Sequence, residues 1–315
     1  LPGLLTMPSR IKLVYNNLCD FNVATLPYWS RDFEPVAHVP GTVYDPTNTM
    51  LWTDYIDDNA WCDPYRSDLK IVCNYHWDQF EDETSEIQDN VLHFRPKHYV
   101  WMFEYMTYQH RGYRDQIRPS QPNHFFLTLM NLRRDLRDHF YSVLEPYHNQ
   151  SMISYVGQGR RLPGDAEQSP GQVSQRHFNP DWYARTCFSM VSETFNVDRL
   201  YVSEKSFKPL AYKHPFMIYG TLGSLKYLHD LGFETFDHVI DESYDTTPDP
   251  ERRLDKILQV LDMLYKDYRQ GRMPFQDAES RRRVLHNYDR FYDSNNFELM
   301  WYTDMVTPIE EFLGR

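Results

Sequence analysis

The sequence has no Asp-x-Asp among its aspartates, no Cys-x-x-Cys pair, no His-x-x-x-His and no P-loop lysine motif. Each absence removes a chemistry. Without Asp-x-Asp, the usual seat for a divalent ion on a nucleotide diphosphate is missing. The histidine spacing argues against a metalloenzyme. With no Gly-x-Ser-x-Gly elbow either, the commonest hydrolase and NTPase readings fall away. The four cysteines (Cys19, Cys62, Cys73 and Cys187) are widely spaced, so neither a disulfide framework nor a zinc knuckle is expected. Cys73 and Cys187 lie in apolar runs and read as buried thiols. Positive charge is also scarce. Against 45 acidic residues stand 33 basic ones, a net charge of −12, which disfavours a broad grip on nucleic acid but leaves room for a local basic patch. No apolar run approaches ~18 residues, so no membrane span is expected. Leu1 to Thr6 read as an irregular end and not as a signal peptide.

What is present is ample material for a folded core. The 315 residues are 41% hydrophobic and 16% aromatic, mostly Tyr and Phe, which excludes a disordered chain. A chain of this length buries roughly 75% of its unfolded surface. Length allows one large or two medium domains.

Strand candidates open the chain at Ile11–Tyr15 and Leu69–Cys73. Further ones are Val91–Phe94 and Tyr99–Phe103, the last of which could also begin a helix. Pro27 to Pro64, rich in Pro, Asp, Asn and Trp, reads as irregular surface suited to acceptor-specific loops. Arg114 to Asn123, with Pro119 and Pro122, is the linker candidate. Beyond it, Phe125–Leu129 reads as a strand, Asn131 to Leu144 as a helix, and Met152–Tyr155 as the next strand. Gly157 to Gln175 holds four glycines and reads as a long loop, either a lid or acceptor contact or a disordered insertion. Near the end, Asp249 caps an amphipathic helix over Pro250–Tyr268, and Asn295 to Leu313 offers more helix broken at Pro308.

The most informative stretch is Val191-Ser192-Glu193-Thr194 followed by Tyr201-Val202-Ser203-Glu204-Lys205-Ser206-Phe207-Lys208. Phe188–Val191 reads as a buried strand. Ser203 is an N-cap candidate for a helix from Glu204 to Tyr212. The free N–H groups of its first turn, with Lys205 and Lys208, suit a phosphate. The bland alternative is a solvated helix cap and nothing more. Pro215–Tyr219 then reads as a strand, Leu225–Leu231 as a helix, and Gly232 as its stop. This is a β-α-β-α pattern with polar residues at the strand ends, where ligands sit in such sheets.

Glu193, then Tyr201-x-Ser203-Glu204-Lys205, resembles the Glu…Tyr-x-Thr-Glu-Lys motif of the α1,3-fucosyltransferase-like glycosyltransferases, with Ser203 keeping the hydroxyl of the usual Thr. Lys213-His214-Pro215-Phe216 sits where that family turns into its next strand. Gly223–Leu228 and Leu231–Asp237 resemble the C-terminal half of uncharacterised glycosyltransferase-like proteins of phages and other viruses. The resemblance covers about Phe125 to Asp245.

The resemblance implies an α/β chain of two Rossmann-like domains facing across a cleft, the GT-B arrangement. An acceptor domain would span 1–120, a nucleotide-sugar domain 121–294, and a C-terminal helix 295–315 would return to the first. It implies transfer of a sugar from a GDP- or UDP-linked donor, inverting if the likeness extends to stereochemistry. The acceptor would be a glycan or a hydroxymethylated base in DNA. No cofactor is expected beyond the nucleotide sugar as co-substrate. The compartment would be the cytoplasm, of a host cell if the source is viral.

By position, Tyr201 would contact the nucleotide, Glu204 the ribose hydroxyls and Lys205 the phosphates, while Glu193 would lie near the donor sugar. Glu193 could equally cap a helix or pair with Lys205. Without Asp-x-Asp, the diphosphate charge falls to fixed cations: Lys205, Arg134 and Arg137, with Lys208 nearby. Asn131-x-x-Arg134-x-x-Arg137 resembles the Asn/Arg-rich segment of the related domains, although Leu136 replaces the His of the usual His-Arg pair. The alternative makes these arginines the solvated face of a helix, paired with Asp135 and Asp138. On the acceptor side, Asp78 is the candidate general base, in the cluster Asn74-Tyr75-His76-Trp77-Asp78 before Glu81, Asp82 and Glu83. An acidic surface loop is the rival reading. A non-catalytic glycan- or nucleotide-binding relative is the rival reading for the whole chain.

Overall fold

The protein is described from a computed structural model covering residues 10–15, 26–53, 62, 67, 69–74, 86–88, 90–94, 98–164, 179–194 and 200–314. Asp78, with Tyr75, His76, Trp77 and the acids at 81–83, lies outside the described residues, as does the second half of the Gly157–Gln175 loop. The chain divides into two units: Leu1–Arg111 with Ser294–Arg315, and Gly112–Asp293.

The first unit is built on β1 (Lys12–Tyr15), α1 (Leu26–Asp32), β2 (Glu34–Ala37), β3 (Thr49–Thr53), β4 (Lys70–Asn74), β5 (Glu86–Gln88), β6 (Val91–Phe94) and α2 (Tyr99–His110). Its sheet has the order β2-β1-β3-β4-β6-β5, parallel except for β5 against β6. One expectation is corrected here and one open reading is decided. The Pro27–Pro64 stretch is not wholly irregular, since it contributes α1, β2 and β3. Pro35 is tolerated because β2 is an edge strand, where a missing N–H breaks no inner ladder. Of the two readings of Tyr99–Phe103, the start of a helix holds. The apolar run continues through Tyr108 with almost every residue buried, which suits a helix packed on all sides.

The second unit contains β7 (His124–Met130), α3 (Asp135–Val143), β8 (Met152–Tyr155), α4 (Pro180–Ala184), β9 (Thr186–Ser192), α5 (Glu204–Ala211), β10 (Phe216–Tyr219), α6 (Ser224–Asp230), α7 (Pro250–Arg269) and α8 (Ala278–Phe291). Its sheet is fully parallel, in the order β10-β9-β7-β8. Every residue of β8, β9 and β10 is buried, which is why these strands read as continuous apolar runs and not as alternations. Aromatic rings fill the core. Phe125 meets Phe188 edge-to-face at 5.3 Å and takes Tyr265 of α7 at 5.1 Å.

The C-terminal segment belongs to the first unit. It runs as α9 (Ser294–Met300), a π-helical turn (Trp301–Val306) and α10 (Thr307–Leu313). Pro308 does not break it. It sits in the first turn of α10, where its missing N–H is not needed. Trp301 Nε1 donates to Asp32 at 2.8 Å, Arg31 binds Glu298 at 2.8 Å, and Asp304 meets His98 Nδ1 at 2.6 Å. The chain is thus mixed α/β with two largely parallel sheets, as expected. Among the described residues no helix is long and apolar enough to cross a membrane.

Candidate functional site

Strand order locates the crevice of the second unit. β7 leads to β8 on one side and the chain then crosses to β9 and β10 on the other, so connections diverge between β7 and β9. At such a switch point the loops leaving neighbouring strands part and open a crevice at their carboxyl ends. Two loops flank it: 131–134 after β7, and the chain after β9 that begins with Glu193.

The first loop is held against β8. Gly157 N donates to Asn131 O at 2.7 Å, and a Cβ on Gly157 would come within 2.7 Å of Arg133 N. Only glycine permits this approach. The expected helix from Asn131 therefore begins later, at Asp135, with Arg134 as its N-cap residue. This separates the three arginines. Arg133 pairs with Asp138 at 2.8 Å, and Asp138 also accepts from Tyr155 and Gln158, both at 2.6 Å. These contacts, Arg133 first, bring the Asp138 carboxyl down to about 2. Arg134 is exposed, whereas Arg137, one turn into the helix, is only 3% exposed.

Arg137 reaches the second loop. Its Nη2 donates to Thr194 Oγ1 at 2.8 Å and its Nη1 to Leu132 O at 3.1 Å. Among the described residues its Nε is buried with no acceptor, and Ser192 Oγ at the end of β9 is buried with no partner. Burial lowers the guanidinium pKa from its ordinary value, while Glu193 and Glu204 oppose that shift. Thr194 Oγ1 also accepts from Lys205 Nζ at 3.2 Å, so one hydroxyl joins two cations brought from α3 and α5.

Helix α5 starts as the sequence indicates, with Ser203 at the N-cap accepting from Lys205 N at 3.3 Å. Glu193, fully buried, holds that end in place. It accepts from Ser203 N at 2.9 Å, from Ser206 Oγ at 2.7 Å and from Ser203 Oγ. Ser206 N in turn bonds Ser203 O at 3.1 Å. The first-turn amides of α5 are therefore largely used by the chain itself, in contrast to the free amides expected there. A phosphate at this point would meet side-chain cations first.

Glu204 lies 3.1 Å from Lys205 Nζ. Burial alone would raise its carboxyl, but Lys205 and Lys208 outweigh this and bring it to about 2, so it stays ionised. Lys208 is buried. Tyr201 is also buried, and burial together with Glu193 and Glu204 raises its phenol well above the ordinary range, so it remains a donor. Its backbone is pinned by Thr221, whose Oγ1 accepts from Tyr201 N at 2.8 Å. The N-terminus of the neighbouring α6 is closed by its own acid, with Leu225 N and Lys226 N donating to Asp245 at 2.9 and 3.1 Å.

The structure thus brings together Arg137, Glu193, Tyr201, Ser203, Glu204, Lys205 and Lys208, and leaves Arg134 on the surface nearby. Three cations face two carboxylates there, a surplus of one positive charge. Thr194 and Ser206 carry no motif signal of their own, although Ser206 stands one helical turn after Ser203, a spacing that puts both hydroxyls on the face Glu193 occupies.

No protein-family model matches this chain, and no curated protein matches it. Among solved structures it is similar in fold to an α1,3-fucosyltransferase, at 12% identity over 93% of this chain and 92% of the other, with a TM-score of 0.46. It is also similar to the DNA-modifying enzyme β-glucosyltransferase, at 9% identity over 97% of this chain and 100% of the other, with a TM-score of 0.45. Both are likenesses of fold. Neither assigns a residue or a substrate here.

Proposed function

We propose that this chain is a glycosyltransferase that moves a sugar, without a metal ion, from a GDP- or UDP-linked donor to a hydroxyl of a glycan or a modified nucleobase. Arg137 carries the reading. A guanidinium 3% exposed has a buried Nε without an acceptor among the described residues, and it shares Thr194 with Lys205 at the switch point of a parallel sheet. Leaving such a donor unpaired costs free energy, and a phosphate oxygen is the acceptor its planar fork fits best.

On this reading the diphosphate lies over Arg137 and Lys205, with Arg134 and Lys208 adding longer-range charge. As the bond from sugar to phosphate breaks, these cations meet the negative charge that develops on the leaving group. Ionised Glu204 accepts hydrogen bonds from the ribose hydroxyls, and Tyr201 donates to the nucleotide. In the first unit Asp78 acts as general base, taking the proton from the acceptor hydroxyl as its oxygen attacks the anomeric carbon, with inversion. The absence of Asp-x-Asp from the sequence supports cations over a metal.

The test is thermal stabilisation by a panel of nucleoside diphosphates and nucleotide sugars, with and without EDTA. A shift with one nucleotide that survives EDTA supports the proposal; no shift with any of them sinks it. Asp78→Asn should then bind donor normally and fail to transfer, and unchanged turnover would remove Asp78 as the base.

A second reading, donor binding without turnover, draws on Glu193. Its carboxylate already accepts from Ser203 and Ser206 and has little left for a sugar. Tight donor binding with no transfer to any glycan or hydroxymethylated-DNA acceptor would favour it.

A further inference from the structure

Among the described residues only two non-glycines have positive φ, Lys213 at 55° and Phe275 at 60°, and both line the same cavity in the second unit. A side chain in this conformation costs roughly 1–2 kcal/mol. The ring of Phe275 offsets its share in the core, 5.3 Å from Phe188 and 5.2 Å from Phe236. Lys213 ends α5 in the left-handed conformation common just past a helix, with His214 N donating to Pro209 O at 3.0 Å, and its Nζ sits 4.1 Å from the centre of the Tyr288 ring.

The cavity measures about 400 Å³. Small-molecule sites typically span about 300–1,000 Å³. It lies at the N-terminal edge of the sheet, where Ala184 precedes β9 and Pro215 precedes β10. The cluster around Arg137 is at the other edge, roughly 20 Å away along a seven-residue strand. Apolar side chains such as Ile117, Val284 and Leu285 form much of the wall, and Leu285 is 49% exposed. The charged residues lining it are all basic: Arg118, Lys213 and Arg281. Arg118 is matched by Asp181, whereas Lys213 and Arg281 make no ion pair among the described residues.

We infer that this cavity is a second binding site, separate from the proposed donor site, for a small organic anion with an apolar body. The apolar wall takes the body, and Lys213 with Arg281 takes the charge. A neutral molecule of the same shape would leave Arg281 without a counter-ion and Lys213 with the Tyr288 ring alone, so charge is part of the selection.

The probe is 8-anilinonaphthalene-1-sulfonate, titrated by fluorescence into the full chain, with uncharged N-phenyl-1-naphthylamine as its comparison. The sulfonate should bind saturably, and the neutral analogue about tenfold or more weakly, the equivalent of one lost charge contact. Lys213→Gly with Arg281→Glu should weaken sulfonate binding by at least about tenfold. Glycine accepts the positive φ, and Arg281 is exposed, so the melting temperature should hold. Arg281→Ala, measured alone, covers the case in which the double variant folds poorly. Lys205→Ala should leave probe binding unchanged, which separates this cavity from the proposed donor site. Equal binding of the two probes, or full binding by the Arg281 variants, would overturn the inference. Loss of binding in Lys205→Ala would also overturn it, by placing the probe at the donor cluster.

Discussion

Replacing Arg137 with Met removes one charge and all five guanidinium donors while keeping the length of the side chain and most of its packing. Two effects follow, of different size. A hydrogen bond to a charged group contributes about 1.5–3 kcal/mol, so a phosphate that accepts from Arg137 should bind roughly ten- to a hundredfold more weakly to the variant. Stability should change less. The bonds to Leu132 O and Thr194 Oγ1 are lost. Each contributes about 1 kcal/mol, and removing a buried cation offsets part of that. The net cost should stay within about 2 kcal/mol. Isothermal titration with the nucleoside diphosphate found in the thermal panel reads the first effect, and urea denaturation the second. An unchanged Kd would refute the phosphate assignment. So would a destabilisation of about 3–5 kcal/mol, the cost of breaking a buried ion pair, because Arg137 would then serve chiefly as counter-ion to Glu193 and Glu204.

Three other perturbations probe the same scaffold. Ser203→Ala removes an N-cap and a donor to buried Glu193, and should cost about 1–2 kcal/mol in denaturant unfolding; a neutral result would mean Glu193 finds another partner. Gly157→Ala must push a Cβ against the Arg133 backbone, and should destabilise by about 1–3 kcal/mol while weakening nucleotide binding through the displaced loop. Glu242 accepts from Thr235 and from Phe236 N, yet burial raises its carboxyl to about 7. Since the folded state holds this proton more tightly than the unfolded chain, stability should fall as pH rises from about 4.5 to 7, by on the order of 3 kcal/mol. His214, lowered to about 4 by burial, works in the opposite sense, losing stability as pH falls from about 6.5 toward 4. Comparing Glu242→Gln with the parent chain between pH 5 and 8 isolates the Glu242 share. An identical pH slope in both proteins would count against it.

Periodicity and capping chemistry made the second unit readable. Continuous apolar runs marked β7, β8, β9 and β10, and Ser203, Gly232 and Asp249 each marked a helix end. These signals are local, carried by neighbouring residues, so one sequence suffices. The first unit was harder. β2 carries a proline, β5 is three residues long, and α2 begins with a run that suits a strand as well as a helix. Edge position and burial decide such segments, and neither is visible locally. Helix α8 also went unread, because its polar face dominates the stretch Ala278–Phe291.

The sequence by itself determined the α/β class, the strand-to-helix junction at Ser203 and the residue types available for anion binding. Those follow from backbone propensity and chemistry within a few residues. Tertiary structure decided which charges meet. Arg133 and Arg137 are four residues apart, yet one is neutralised on the surface by Asp138 while the other is buried and turned toward Thr194, 57 residues further on. Glu193 became an anchor for Ser203 and Ser206 because β9 ends directly beneath the first turn of α5. Crossing from β8 to β9 placed two distant loops at one crevice, and no local pattern encodes that distance.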